Sequence, residues 1–274
     1  TKATICPQGY YCPLRSTQAT ACPAGSYCPA GSHTPEPCPK GYYCSAKVST
    51  YTQCPAGSYC TVGSQSPTTC PAGSYCPKGA ASPTTCPAGN YCSKDGLSTY
   101  TKCPAGSYCP AGTATPKTCP AGSYCPAGAS AATKCPAGSY CPAGASAATK
   151  CPAGSYCPAG ASTATKCPAG SYCPAGAKAA TACSSGHYCP TTGLSAQTVC
   201  PKGYYCPTTT TKTACPGGTY NNSTKQTKSS ACKTCPAGYY CYPACTTYTK
   251  CPTGSSCPAG TTYAPTPAPT HFNN

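Results

Sequence analysis

The chain has 274 residues, 33 of them cysteine, and a formal charge of +16. Leu, Ile, Val and Phe together supply eight residues and Met and Trp none, which excludes an ordinary apolar core. Cysteine at about 12% of residues falls in the range of disulfide scaffolds, and reducing cytosol would leave such a chain open, so an extracellular or secretory setting is expected.

From Cys6 onward one motif, Cys-Pro-x-Gly-x-Tyr-Cys, recurs about every sixteen residues. Units begin at Cys6, Cys22, Cys38, Cys54, Cys70, Cys86, Cys103, Cys119, Cys135, Cys151, Cys167, Cys183, Cys200, Cys215, Cys235 and Cys251. The steps after Cys86 and Cys183 are seventeen residues. The glycine stands in all sixteen units. Pro, Tyr and the second Cys each stand in fifteen, with Ser184, Ser256 and Asn221 as the respective exceptions. A repeat this short buries nothing alone, so neighbours must stack. The expected fold is a set of small disulfide-rich tandem repeats, an elongated solenoid-like rod of turns and short β bridges, almost without helix. Four regions are expected: a regular array over 1–214, a variant repeat over 215–234, terminal repeats over 235–260 and a Pro/Thr-rich tail over 261–274.

Within a unit, Pro is expected at the second position of a type I turn, with Gly two residues later closing it in the left-handed conformation. The same tetrapeptide often returns at the second cysteine, as in Cys141-Pro142-Ala143-Gly144, giving two turns, a short arm and a long arm. Frequent Pro excludes long helices. The tyrosine before the second cysteine is expected to cover a bridge and meet a ring of the adjacent unit, its hydroxyl staying wet.

Two local pairing schemes fit. Either the short arm closes (Cys6–Cys12, Cys135–Cys141, Cys151–Cys157) or the long arm does (Cys141–Cys151). Loop entropy barely separates them, at about 2.4 against about 2.8 kcal/mol. Short-arm closure is preferred because, with Cys215–Cys232, Cys235–Cys241 and Cys251–Cys257, it makes sixteen bonds and leaves only Cys245. A leftover cysteine suggests a bridge to a second chain, or pairing with Cys232 at another cysteine's expense.

The unit at Cys215 breaks the rhythm. Asn221 and Asn222 each begin an N-glycosylation sequon, of which one is expected to be used. Thr266 and Thr270 in the terminal Pro/Thr run read as O-glycosylation candidates. Cys215 to Cys235, with Cys-Pro-Gly-Gly-Thr-Tyr and Cys-x-x-Cys-Pro-Ala-Gly-Tyr-Tyr-Cys, resembles the ephrin-receptor-like cysteine-rich repeats, which are related to tumour-necrosis-factor-receptor modules. The shorter units resemble a variant of large extracellular protist proteins. That resemblance implies an extracellular disulfide-linked rod that presents or joins other parts.

Catalysis needs positioned acids, bases or nucleophiles. Only Glu36 and Asp95 are acidic, and His33, His187 and His271 stand apart, so no catalytic residue, metal or cofactor is expected. Lysines such as Lys102, Lys134, Lys150, Lys166 and Lys250 are spread without clustering; they suit acidic polysaccharide rather than nucleic acid. No apolar run is long enough to span a bilayer. The expected function is a structural extracellular glycoprotein self-associating into filaments or a surface layer (coat, wall or flagellar hair). The alternative is the stalk of an adhesion or receptor ectodomain that carries a ligand-binding head.

Overall fold

The computed structural model describes residues 5–265. Thr266, Thr270 and His271 lie outside the described residues. The chain divides into two compact units. One holds the described residues up to 134 together with Pro142–Ala147; the other holds Cys135–Cys141 and the residues from 148 onward.

Both units are built from the same part. A turn, a two-residue strand, a second turn and a returning two-residue strand make one hairpin, and fifteen such two-stranded sheets occur among the described residues. In the repeat at Cys135, Ser139–Tyr140 pairs antiparallel with Thr149–Lys150, Ser139 opposite Lys150 and Tyr140 opposite Thr149. Ser229–Ala231, a single 3₁₀ turn, is the one helical element among the described residues. The fold is therefore one of small disulfide-rich tandem repeats, almost without helix.

The turn register differs from expectation by one residue. Ser139 N–H donates to the Pro136 carbonyl (3.2 Å), so Pro136 opens the turn and Ala137 and Gly138 are its central pair. Gly138 has φ +87°, the value a type II turn demands at its third position. A proline nitrogen cannot donate, but its carbonyl is intact, and the opening position of the turn uses only the carbonyl. The second turn repeats the arrangement in the unit containing Ala145, whose N–H donates to the Pro142 carbonyl (3.1 Å).

Repeats join through the backbone. In the second unit, Gly138 N–H donates to Cys157 C=O (2.8 Å), Cys141 N–H to Ala161 C=O (2.9 Å) and Gly160 N–H to Cys135 C=O (2.8 Å). In the first unit, Gly41 donates to Cys60 (2.8 Å), Cys44 to Ser64 (3.0 Å) and Gly63 to Cys38 (2.8 Å). Three backbone bonds thus tie each of these repeats to its successor. A fourth, Cys151 N–H to Gly138 C=O (2.9 Å), closes the hairpin leading into the next repeat. These bonds occupy donors and acceptors that irregular backbone would otherwise have to leave to water.

The interior matches the composition. Apart from Thr113 and Asn221, the buried side chains are half-cystines or cysteines, most of them with no exposed surface at all. The motif glycine is the other buried residue in most repeats. A sulfur pair packed beside a bare backbone replaces the aliphatic core. No helix is long and apolar enough to cross a membrane among the described residues.

Candidate functional site

The candidate feature is a surface repeated along each unit, and its geometry begins at the bridges. The structure closes the short arm: Cys6–Cys12, Cys135–Cys141, Cys151–Cys157, Cys235–Cys241 and Cys251–Cys257 each span six residues. Cys215 reaches instead to Cys232, seventeen residues on. Cys232 and Cys235, the one pair with zinc-like spacing, are therefore taken into two different bridges. Among the described residues, no group of three or more His, Cys, Asp or Glu is placed to hold a metal.

Fifteen bridges are present where sixteen were expected, because Cys86 and Cys92 stand as two buried thiols in the place of their repeat's bridge. Enclosure, and the neighbouring Cys92 thiol, push the Cys86 thiol up to about 12. The extra residue of this repeat is not the cause, since the repeat at Cys183 carries the same insertion and is bridged. Nothing else in the fold explains the difference. Cys245 is the third thiol. It is half-buried, and its Sγ–H donates to Thr247 C=O (2.6 Å). Pairing of Cys245 with Cys232 is excluded by the Cys215–Cys232 bridge.

The motif glycine does more than turn the chain. In all sixteen repeats it has φ between +78° and +87°. A Cβ on Gly138 would lie 2.6 Å from the Gly176 carbonyl oxygen, and one on Gly41 would lie 2.6 Å from that of Gly79. Both carbonyls belong to the repeat two steps further on. The second-turn glycine is under less constraint. Gly193 would meet nothing within 4 Å, and the equivalent turn position accepts Arg15, Lys47, Lys225 and Ala244 at φ +59° to +70°. That carbonyl accounts for the glycine at Gly41 and Gly138, whereas Gly238 and Gly254 would meet nothing within 4 Å and are held to glycine only by their positive φ.

Asn221 occupies the second-cysteine slot and is only 2% exposed. Its backbone makes the bonds of a half-cystine there: N–H to Cys245 C=O (3.0 Å), and C=O from Gly203 N–H (2.9 Å). Its side chain replaces the missing bridge with polar contacts. Nδ2–H donates to Tyr204 C=O (2.8 Å), and Oδ1 accepts from Ser223 N–H (3.0 Å). Asn222 beside it is exposed.

The expected contact with a ring of the adjacent repeat occurs in some repeats and not in others. Motif tyrosines are half-buried, and where they meet a ring it is a long-arm tyrosine, in three cases of the next repeat, Tyr27 with Tyr51 (5.3 Å), Tyr75 with Tyr100 (5.2 Å) and Tyr220 with Tyr248 (5.2 Å), and in one of the same repeat, Tyr240 with Tyr242 (5.3 Å), all edge-on. Long arms between Cys109 and Ala182 contain no tyrosine, so cohesion there rests on backbone bonds and sulfur. The return-strand lysines Lys102, Lys134, Lys150, Lys166 and Lys250 are exposed, and Lys212 lies over the Tyr204 ring (4.7 Å).

The two carboxylates are engaged locally. Glu36 accepts from Tyr27 Oη–H (2.5 Å), which raises the Tyr27 phenol pKa, and Asp95 accepts from Ala72 N–H (2.8 Å). His33 Nδ1 sits 3.1 Å from Cys12 C=O. A polar cluster that sequence reasoning passed over surrounds the one repeat without proline after its first cysteine. Ser184 Oγ–H donates to Gln197 Oε1 (2.8 Å) and lies 3.4 Å from His187 Nδ1, beside a shallow hollow of about 300 Å³ also lined by Thr208 and Thr227. The substitution Ser184 in the proline column was its only signal.

No protein-family model matches the chain, and no curated protein matches it either.

Proposed function

We propose that the chain is a structural extracellular protein whose repeats stack through disulfides and backbone hydrogen bonds into a stiff rod, and that such rods self-associate into filaments or a surface layer. The observation that carries this reading is the sameness of the repeat-to-repeat contact. Within each unit nearly every successive hairpin repeats one set of three backbone bonds, the step from the repeat at Cys183 to that at Cys200 keeping only Cys189 N–H to Thr209 C=O (2.7 Å), and the hairpins turn a similar face of Thr, Ser, Ala and Lys outward. A surface repeated at a fixed interval favours ordered lateral contact over recognition of one ligand. An interior of sulfur and glycine supports an oxidising location, since reduction would remove the covalent part of the core. The resemblance of Cys215 to Cys235 to ephrin-receptor-like repeats points the same way.

In this reading the protein is not an enzyme and needs no cofactor. It carries glycans, and its exposed lysines make loose contact with acidic polysaccharide. The second reading, the stalk of an adhesion or receptor ectodomain, shares the scaffold and differs in its neighbours. Negative-stain microscopy and light scattering of chain purified without reductant separate them. Ordered filaments or sheets that disperse in reductant are expected. Separate single chains at high concentration and physiological salt would reject self-association and leave the stalk.

A further inference from the structure

The overlapping sequons Asn221-Asn222-Ser223 and Asn222-Ser223-Thr224 are equivalent as sequence and opposite as structure. They open the long loop of the one repeat whose second cysteine is missing. Between the paired strands Thr219–Tyr220 and Lys233–Thr234 the chain runs through 221–232, against 141–148 in the regular repeat. Asn221 points into the place of a half-cystine, 2% exposed, with Nδ2–H bound to Tyr204 C=O and Oδ1 to Ser223 N–H. An oligosaccharide on that nitrogen has no room and would hold the repeat open. Asn222 is exposed. Its Oδ1 accepts only from Ser223 Oγ–H (3.3 Å), and its Nδ2 makes no hydrogen bond among the described residues.

We infer that Asn222 is the N-glycosylated residue of this loop and that Asn221 is a core residue never modified in the folded chain. This inference rests on the secretory setting proposed above. In the transfer, the Asn222 Nδ2 bonds to the anomeric carbon of a polyisoprenyl-diphosphate-linked oligosaccharide. The anomeric C–O bond breaks, the diphosphate leaves with its electron pair, and one amide proton passes to a base of the transferase. The saccharide then projects from an exposed loop and leaves the core hydrogen bonds of Asn221 intact.

The two sequons can be separated without touching either asparagine. Ser223→Ala destroys the first and keeps the second; Thr224→Ala does the reverse. The full chain and both variants, secreted from a eukaryotic host, are read by glycopeptide mass spectrometry and by non-reduced peptide mapping of the same sample. Expected are one N-glycan at 222 in the parent and in Ser223→Ala, and complete loss of it in Thr224→Ala and in Asn222→Gln. A glycan at 221, or an unmodified loop in secreted chain whose bridges have closed, overturns the inference and leaves the proposed function standing. Chain recovered from its natural source with most cysteines as open thiols removes both.

Discussion

Alanine at Gly138 and alanine at Gly193 should have very different effects, although both glycines have positive φ (+87° and +77°). Each substitution places an L-residue in the left-handed region, at about 1–2 kcal/mol. At 193 that is the whole effect, because the new Cβ meets nothing within 4 Å. At 138 the Cβ lies 2.6 Å from the Gly176 carbonyl oxygen, a backbone atom that cannot swing aside. Moving it strains two bonds between successive repeats, Gly138 N–H to Cys157 C=O and Gly176 N–H to Cys151 C=O, both 2.8 Å. Overpacking of this kind adds about 1–3 kcal/mol, and each weakened hydrogen bond about 0.5–1.5 kcal/mol. Gly138→Ala should therefore cost about 3–8 kcal/mol in total. Native-state hydrogen exchange is the suitable assay, because repeat arrays open locally rather than in one step. Gly193→Ala should speed exchange around its own turn by about 5–30-fold, from about 1.4 kcal/mol per factor of ten. Gly138→Ala should speed exchange at Cys151, Cys157 and Gly176 by more than about 100-fold on the same conversion. Equal effects at the two positions would refute the crowding argument and leave backbone conformation as the only constraint.

Further outcomes concern the exceptions to the repeat. Alkylation of native chain at pH 8 should label Cys245 and spare Cys86 and Cys92, with labelling of Cys86 climbing only as pH nears 12; equal labelling of all three would disprove the enclosure. Because folding raises the Cys86 pKa from about 9 to about 12, the neutral thiol's contribution is complete below pH 9 and is lost as pH rises through 12, which pH-dependent exchange around this repeat can follow. Asn221→Ala should cost about 1–3 kcal/mol by stranding Tyr204 C=O and Ser223 N–H. Exchange should rise at Gly203 and Ser223 while mass mapping still finds Cys215–Cys232; unchanged exchange would show that the asparagine supports nothing. Tyr51→Ala removes edge contacts with Tyr27 and Tyr42, each worth about 0.5–1.5 kcal/mol, and should loosen the repeats at Cys22 and Cys38 but not that at Cys135.

What the sequence revealed was what the spacing of cysteine, proline and glycine dictates locally. Two turns per repeat and the near-absence of helix follow from one repeat alone, whereas the six-residue bridges were reached only by counting cysteines along the whole chain, since spacing within a repeat left two pairings open. The contacts between repeats were not legible. A bond such as Cys141 N–H to Ala161 C=O joins residues twenty apart through backbone atoms that every amino acid has, so composition carries no sign of it. The same holds for the carbonyl above Gly138: sequence shows that the glycine never varies, and only the stack shows what it makes room for. The buried place of Asn221 was hidden for a related reason. As a string it is half of a sequon; in the register of the repeat it stands where a half-cystine belongs. Tyrosine was given too large a part in cohesion, because its regular place beside cysteine suggested ring-on-ring contact and the rings found partners only where a long arm happened to supply one.

One consequence of the bonding between neighbours concerns direction. Wherever the full set of three bonds forms within a unit, the earlier hairpin gives two amides and one carbonyl, and the later one gives two carbonyls and one amide. The leading and trailing surfaces of any such stack are therefore chemically unlike. Two copies meeting by these surfaces cannot close on themselves as a symmetric pair; they can only follow one another head to tail, in a line with a defined polarity.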